Sequence, residues 1–247
     1  MAAMFAAAGR FAMSNLLDAG RILPGAATGS TRSGLAASEQ NLPTSGTLAE
    51  PGSWGVAYCY GTRLETFRSQ RAPAQDPDYS RLADQRTDMA CLLVETGVSR
   101  SVREVQPYVR RDSGRLWSFT HFGRVLHPEA LDTGGRIVDS QNPSEKLFLH
   151  IINRLDREQP VESVAAVLGE LAGEESLSLW LMSCELTLVA SWHAHGAAEG
   201  DGVLWVGESE LARFVVSRPL PNTPEVTWER LPERTVFGIS RVRREIS

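Results

Sequence analysis

Three cysteines, five histidines and two arginine-rich stretches are the first places to look for chemistry in this 247-residue chain. A thiolate attacks carbonyls and binds metals, so Cys59, Cys91 and Cys184 come first. Their number is odd and no Cys-x-x-Cys spacing occurs, which argues against a disulfide framework and against a zinc site. Cys91 and Cys184 lie in apolar runs and read as small buried hydrophobes. His193-Ala194-His195 would place two imidazoles on one side of a strand, a spacing that allows a metal. No third ligand accompanies them, and SWHAHGAAEGDG around them reads as a solvated hairpin end. Asp112-Ser113-Gly114 offers a carboxylate and a hydroxyl, but its place between two strand-like runs makes it a turn. The arginines of Val109–Arg111 and Arg241–Arg244 would suit phosphate or an acidic partner surface; the plainer reading is a solvated edge.

Composition narrows the classes. Thirty acidic residues outnumber 25 basic ones, for a formal net charge of −5. Nucleic-acid binders normally carry a basic excess, so no nucleic-acid partner is expected. No apolar run reaches the roughly 20 residues that span a bilayer, so no membrane partner is expected either. The opening MAAMFAAAGRFAM resembles a signal h-region, but Arg10 interrupts it and no basic segment precedes it. The expectation is a protein of a reducing cytoplasm, without metal or cofactor.

The elements that must hold these groups follow from apolar periodicity. A strand is expected at Met4–Ala8 and a helix from Ser14 to Ile22, with Ser14 as its cap. Residues 24–53 are small, polar and broken by Pro and Gly, and read as a long mobile loop. Trp54–Tyr60 and Arg63–Arg68 form a hairpin around Gly-Thr. Asp78–Thr87 reads as a short helix; Met89–Val94 and Leu116–Thr120 read as strands. Apolar residues at 147, 148, 151, 152 and 155 predict an amphipathic helix over Ser144–Leu155, capped by Ser144. A second helix covers Val161–Leu171. From Leu177 on, SLWLM, LTLVASW, GVLWVG, ARFVVS and TVFGIS read as strands, with Trp180, Trp192, Trp205 and Trp228 in the core or at sheet edges. Helices and strands fall in blocks, which predicts an α+β fold with antiparallel sheets, in one domain over residues 1–247.

Taken in order, WGVAY at 54–58, QPY at 106–108, FTHFG at 119–123 and SEKLF at 144–148 together resemble the class II glutamine amidotransferases, the Ntn-hydrolase glutaminase domain, and among them the compact single-domain bacterial branch. Trp54-Gly55-Val56-Ala57-Tyr58 is similar to the family's GWGIAYY strand, and Gln106-Pro107-Tyr108 to its QPF segment. Phe119-Thr120-His121-Phe122-Gly123 is similar to FAHNG, and Ser144-Glu145 with Leu147-Phe148 to the end of TDSExxF. Met4-Phe5-Ala6 stands where the family has its first strand, and VVSRPL with Trp228-Glu229-Arg230-Leu231-Pro232 matches its ending. The resemblance runs through nearly the whole chain and implies a four-layer αββα sandwich of two antiparallel sheets. It also implies hydrolysis of glutamine to glutamate and ammonia, by an N-terminal cysteine whose own α-amino group is the base.

The residues at the working positions depart from that pattern. Ala2 stands where the nucleophile would be, and a methyl group cannot attack a carbonyl. His121-Phe122-Gly123 keeps the glycine of the oxyanion turn and replaces the Asn donor by Phe122. Counting back from Gln106 without a gap puts Cys91, Leu93 and Thr96 on the His, Arg and Thr of HxRxAT, so Leu93 replaces the carboxylate clamp. Glu104 falls where the family often has Asn. Pro143 replaces the Asp that grips the substrate amine. The resemblance also carries Gly55, Thr96 and His121 into the substrate-binding region, with His121 reading as a structural hydrogen-bonding residue.

Four losses in separate segments predict a glutaminase scaffold without glutaminase chemistry. Such a protein would act by binding, as a regulatory or bracing subunit with a protein partner or a second copy, and glutamine binding is in doubt. Two alternatives stay open. One is an active amidotransferase whose cysteine was replaced at Ala2. The other is a structural component of a larger assembly.

Overall fold

The computed structural model describes residues 2–14, 17, 51–96, 99–125, 127–171, 176–193, 203–220 and 225–241. The described strands are β1 (Ala2–Ala12), β2 (Pro51–Tyr60), β3 (Arg63–Ser69), β4 (Arg86–Thr96), β5 (Tyr108–Asp112), β6 (Arg115–Gly123), β7 (Leu177–Met182), β8 (Leu186–Trp192), β9 (Trp205–Glu208), β10 (Ala212–Val216), β11 (Thr227–Arg230) and β12 (Thr235–Ser240). Three α-helices lie wholly among the described residues: α1 (Pro77–Arg81), α2 (Pro143–Asn153) and α3 (Pro160–Leu171).

Two sheets result, both antiparallel throughout. The larger runs β11-β9-β10-β1-β4-β2-β3 and the smaller β12-β8-β7-β6-β5. Strand alternation explains the layering, because successive side chains point to opposite faces. In β1, Met4, Ala6 and Ala8 join one apolar cluster, while Ala3, Phe5 and Ala7 join another. In β4, Met89, Cys91 and Leu93 follow the first set, and Ala90, Leu92 and Val94 the second. The first cluster also takes Trp180, Met182 and Val189 from the smaller sheet, so it is the core between the sheets. The second packs Trp54 and Val56 against Tyr79 of α1 and against Met13 and Leu17. A third cluster seats Leu147, Phe148, Ile151 and Ile152 of α2 and Val164, Val167 and Leu168 of α3 on the far face of the smaller sheet. Helix, sheet, sheet, helix is the expected α+β αββα sandwich.

Local departures from the expected elements have physical causes. Asp78–Thr87 is not one helix. The carboxylate of Asp76 caps α1 by accepting from the N–H of Asp78, a 3₁₀ turn at Leu82–Asp84 ends it, and Thr87 already lies in β4. Asp76 also accepts from Trp54 Nε1 at 3.1 Å, which ties α1 to β2. Ser144 does not cap α2. Asn142 does, its side chain accepting from Ser144 N at 3.0 Å, with Pro143 at the first helical position. Ser14 is not a cap either, since Met13 and Ser14 are both helical; the rest of the helix expected to Ile22 lies outside the described residues apart from Leu17. The expected loop 24–53 ends early, because Pro51–Ser53 pair with Glu95 and Thr96 as the start of β2; residues 24–50 lie outside the described residues. Strand β11 is an element beyond those expected. Its register on β9 is set by Trp228, packed on Phe214 and over Gly207.

Candidate functional site

The positions singled out by the resemblance come from five segments, and the sheets bring most of them to neighbouring places. Ala2 pairs with Glu95 across β1 and β4, and Met4 pairs with Leu93. On the other side of β4, Leu93 pairs with Gly55 and Glu95 with Ser53. Gly55 lies against the segment that precedes β5. A Cβ at position 55 would stand 1.8 Å from the Gln106 carbonyl oxygen and 2.8 Å from Pro107 Cδ, so the two backbones approach only because residue 55 has no side chain.

Gln106 links this end of the larger sheet to the turn that carries His121, Phe122 and Gly123. Its Nε2 donates to His121 O at 2.8 Å, and its Oε1 accepts from His121 N at 2.6 Å. His121 Nδ1 and Ser144 Oγ hydrogen-bond at 3.0 Å, which fastens β6 to the first turn of α2. Both side chains are buried. A serine and a histidine at that distance could form a nucleophile–base pair. Here burial pushes His121 down to about pH 4, and its Nε2 is buried without a hydrogen-bond partner among the described residues. The pair acts as a clip.

Glu145 and Glu104 extend the same fastening. Glu145 is 1% exposed, accepts from the N–H groups of Asp139 and Ser140, and forms an ion pair with Arg110. Asn142 Nδ2 and Tyr108 Oη both donate to the carbonyl of Glu104, at 3.1 and 2.9 Å. The carboxylate of Glu104 accepts from Arg100 N. Arg110, expected on a solvated edge, instead neutralises a buried carboxylate.

The replaced positions are held differently. Leu93 is 1% exposed and belongs to the core between the sheets, and Phe122 packs against that same core from the smaller sheet. Gly123 adopts φ +122°, and a Cβ there would stand 2.5 Å from Ser176 O. Pro143 starts α2, where a missing N–H and a fixed φ suit the first helical position. Thr96 ends β4; its side chain, like that of Ala2, lies outside the described residues.

Burial raises the thiols of Cys59 and Cys91 far above their ordinary range, and raises Cys184 as well, so none is an activated thiolate. Glu95 closes β4 just beyond the apolar run Met89–Val94 and is not among the residues expected at the site. Burial lifts its carboxyl to about pH 6, partly offset by a hydrogen bond with Ser53, so it titrates near neutrality opposite Ala2. The lone acid closing an apolar strand was its signal. His193, expected in a solvated loop, is buried at the end of β8, and His195 lies outside the described residues. Among the described residues no three His, Cys, Asp or Glu side chains gather as a metal site, and no helix is long and apolar enough to cross a membrane.

No protein-family model matches the chain. Over 120 residues it is 24% identical to the protein named "Putative glutamine amidotransferase YafJ" from Escherichia coli (strain K12), covering 47% of each chain. The matched region thus spans about half the length of that curated relative. Among solved structures, the allosteric regulatory enzyme of purine biosynthesis superposes over 96% of this chain and 47% of its own, with a TM-score of 0.69 and 16% identity. A glutamine aminotransferase class-II domain protein from Silicibacter pomeroyi superposes over 96% of this chain and 94% of its own, at 0.62 and 17%. A predicted glutamine amidotransferase from Pseudomonas aeruginosa PA01 covers 98% and 94%, at 0.60 and 12%. The fold is that of class II glutamine amidotransferase proteins.

Proposed function

We propose that this chain is a class II glutamine amidotransferase-like protein that does not hydrolyse glutamine and acts by binding, as a regulatory or bracing subunit of a cytoplasmic complex. The observation that carries the reading is the place of Leu93. At the position where the resemblance puts the guanidinium clamp, an aliphatic side chain sits inside the core between the sheets. Phe122, at the lost oxyanion donor, packs on the same core. The motif residues that persist are the ones with structural bonds: Ser144 to His121, Glu145 to Arg110 and two backbone amides, Gly55 beneath Gln106. A scaffold under pressure to fold but not to bind glutamine keeps that second set and loses the first. Ala2 then fits as one loss among four, where an isolated knockout would leave the clamps intact.

The test is ammonia release from glutamine by the purified chain beside its Ala2→Cys variant. Neither is expected to release ammonia above the uncatalysed rate, and glutamine is expected to leave the melting temperature of both unchanged. Turnover by the variant alone would mean a live pocket lacking only its nucleophile, and would overturn the reading. Partner capture would follow a negative result, with a protein or a second copy of the chain as the expected catch.

A further inference from the structure

Away from Ala2, Leu93, Phe122 and Pro143, a cleft of about 580 Å³ opens at an end of the sandwich where hairpins of both sheets meet. The β2–β3 hairpin supplies Arg63 and Glu65, the β5–β6 hairpin Arg111 and Arg115, the β7–β8 turn Glu185, and the α2–α3 connection Arg157. Four guanidinium groups and two carboxylates thus line one concavity, in a chain whose net charge is −5.

The two carboxylates are already engaged. Glu65 pairs with Arg63 at 3.0 Å, and Glu185 pairs with Arg115. Arg111 and Arg157 are held by backbone instead. Arg111 donates to Gly114 O at 3.0 Å, and Arg157 donates to the carbonyls of Asp112 and Ser113. Among the described residues, no carboxylate lies within ion-pair distance of Arg111. The carboxylate nearest to Arg157, that of Asp112, is 3.9 Å away and is bound more closely by Arg136 at 2.6 Å. The β5–β6 turn therefore anchors two cations by carbonyls, which orient a guanidinium without neutralising it.

We propose that this cleft binds a small molecule carrying two or more linked phosphate groups. The planar fork of arginine matches phosphate oxygens in pairs, and two forks on one wall suit an anion with more than one phosphate. The volume falls within the roughly 300–1,000 Å³ of small-molecule sites. A concave site bounded by three hairpins favours a compact ligand over the flat face that an acidic protein would need. The proposal stands whether or not the chain hydrolyses glutamine.

Calorimetric titration of the full chain with inorganic tripolyphosphate and pyrophosphate, at physiological ionic strength, tests it. One saturable site is expected. Arg111→Gln and Arg157→Gln should each weaken it about tenfold or more, the scale of one charge-assisted hydrogen bond. Both side chains lie at the surface, and unchanged melting curves would establish that the variants fold. Glu185→Gln, which releases Arg115, should tighten binding. Absence of a saturable heat would overturn the proposal. So would equal binding by the Arg111→Gln/Arg157→Gln double variant, sulfate matching tripolyphosphate at equal concentration, or an acidic peptide displacing it at equal strength.

Discussion

The side chain of Gln106 extends the β5–β6 ladder in place of a backbone. Tyr108 pairs with Phe119 as the last rung of that ladder; two residues further on, Gln106 gives His121 both a donor at 2.8 Å and an acceptor at 2.6 Å. One primary amide thereby does what a strand partner would do for the next rung. Gln106→Ala would leave a buried N–H and a buried C=O without partners. Each such orphan costs about 1–3 kcal/mol, so a loss of about 2–6 kcal/mol is expected in urea unfolding, with an unchanged m-value. Loss below 0.5 kcal/mol would mean that water replaces the amide.

Gly55→Ala is expected to be worse than its single added methyl suggests. The new Cβ would stand 1.8 Å from the Gln106 carbonyl oxygen, which is backbone and cannot swing aside. Relief requires β2 to move away from the Gln106 segment, and Leu93 beside Gly55 in β4 resists that movement because it is locked in the core between the sheets. A loss of about 3 kcal/mol or more, or failure to accumulate as soluble protein, is expected. Gly61→Ala is the control. Its φ of +59° carries strain but nothing lies within 4 Å, so about 1 kcal/mol is expected from the same unfolding experiment.

His121 makes the fold acid-sensitive. An exposed imidazole takes its proton near pH 6.5, and burial delays this one to about pH 4. Between those values the unfolded chain holds more protons than the folded one, so stability rises with pH across the window. The contribution is full above pH 6.5 and is lost as the pH falls toward 4, to a total of about 3 kcal/mol. Glu95 acts in the opposite sense. Its carboxyl is raised to about pH 6, so its contribution is present below its unfolded value near 4.5 and is lost as the pH rises through 6. Urea midpoints measured from pH 4 to pH 8 should therefore fall on the acid side, and His121→Gln should flatten that fall whatever it does to the plateau.

The sandwich was legible because strand alternation is strong in β1 and β4, where each face reads as apolar in its own right: Met4, Ala6 and Ala8 against Ala3, Phe5 and Ala7. The clip between Ser144 and His121 was not legible. A serine before an amphipathic run is the usual cap signal, and the cap residue turned out to be Asn142, two positions earlier, because Pro143 fits the first helical turn. Freed from capping, Ser144 faces β6 instead. Arg110 illustrates a second limit. Charge in a strand next to a turn reads as solvated, and only the fold brings Glu145 from α2 beneath it. Glu95 illustrates a third: a carboxyl's pKa follows from what buries it, and β1 and β2, the strands that flank it, come from segments roughly ninety and forty residues upstream.

Leu93→Arg restores the residue type of the family's carboxylate clamp at the register inferred from sequence, and it is expected to harm the protein without restoring glutamine binding. Leu93 is 1% exposed, between Met4 and Gly55 on its own sheet and among Met182, Trp180 and Phe122 from the other. The side chains clustered with it are apolar, so a guanidinium there would be buried in the core between the sheets, and Glu95, two residues on in β4, is the acid on its face of the strand. A buried charge that lacks its partner costs about 3–5 kcal/mol, so a smaller loss would mean that Glu95 pairs with the new guanidinium. Leu93→Met, close in volume, should cost less than about 1.5 kcal/mol and serves as the control for packing. The measurement is thermal unfolding of both variants with and without millimolar glutamine. A Leu93→Arg protein that melts like the parent and gains stability from glutamine would show that the side chain at 93 can reach an open pocket, and the binding-subunit reading would fall with the filled core on which it rests.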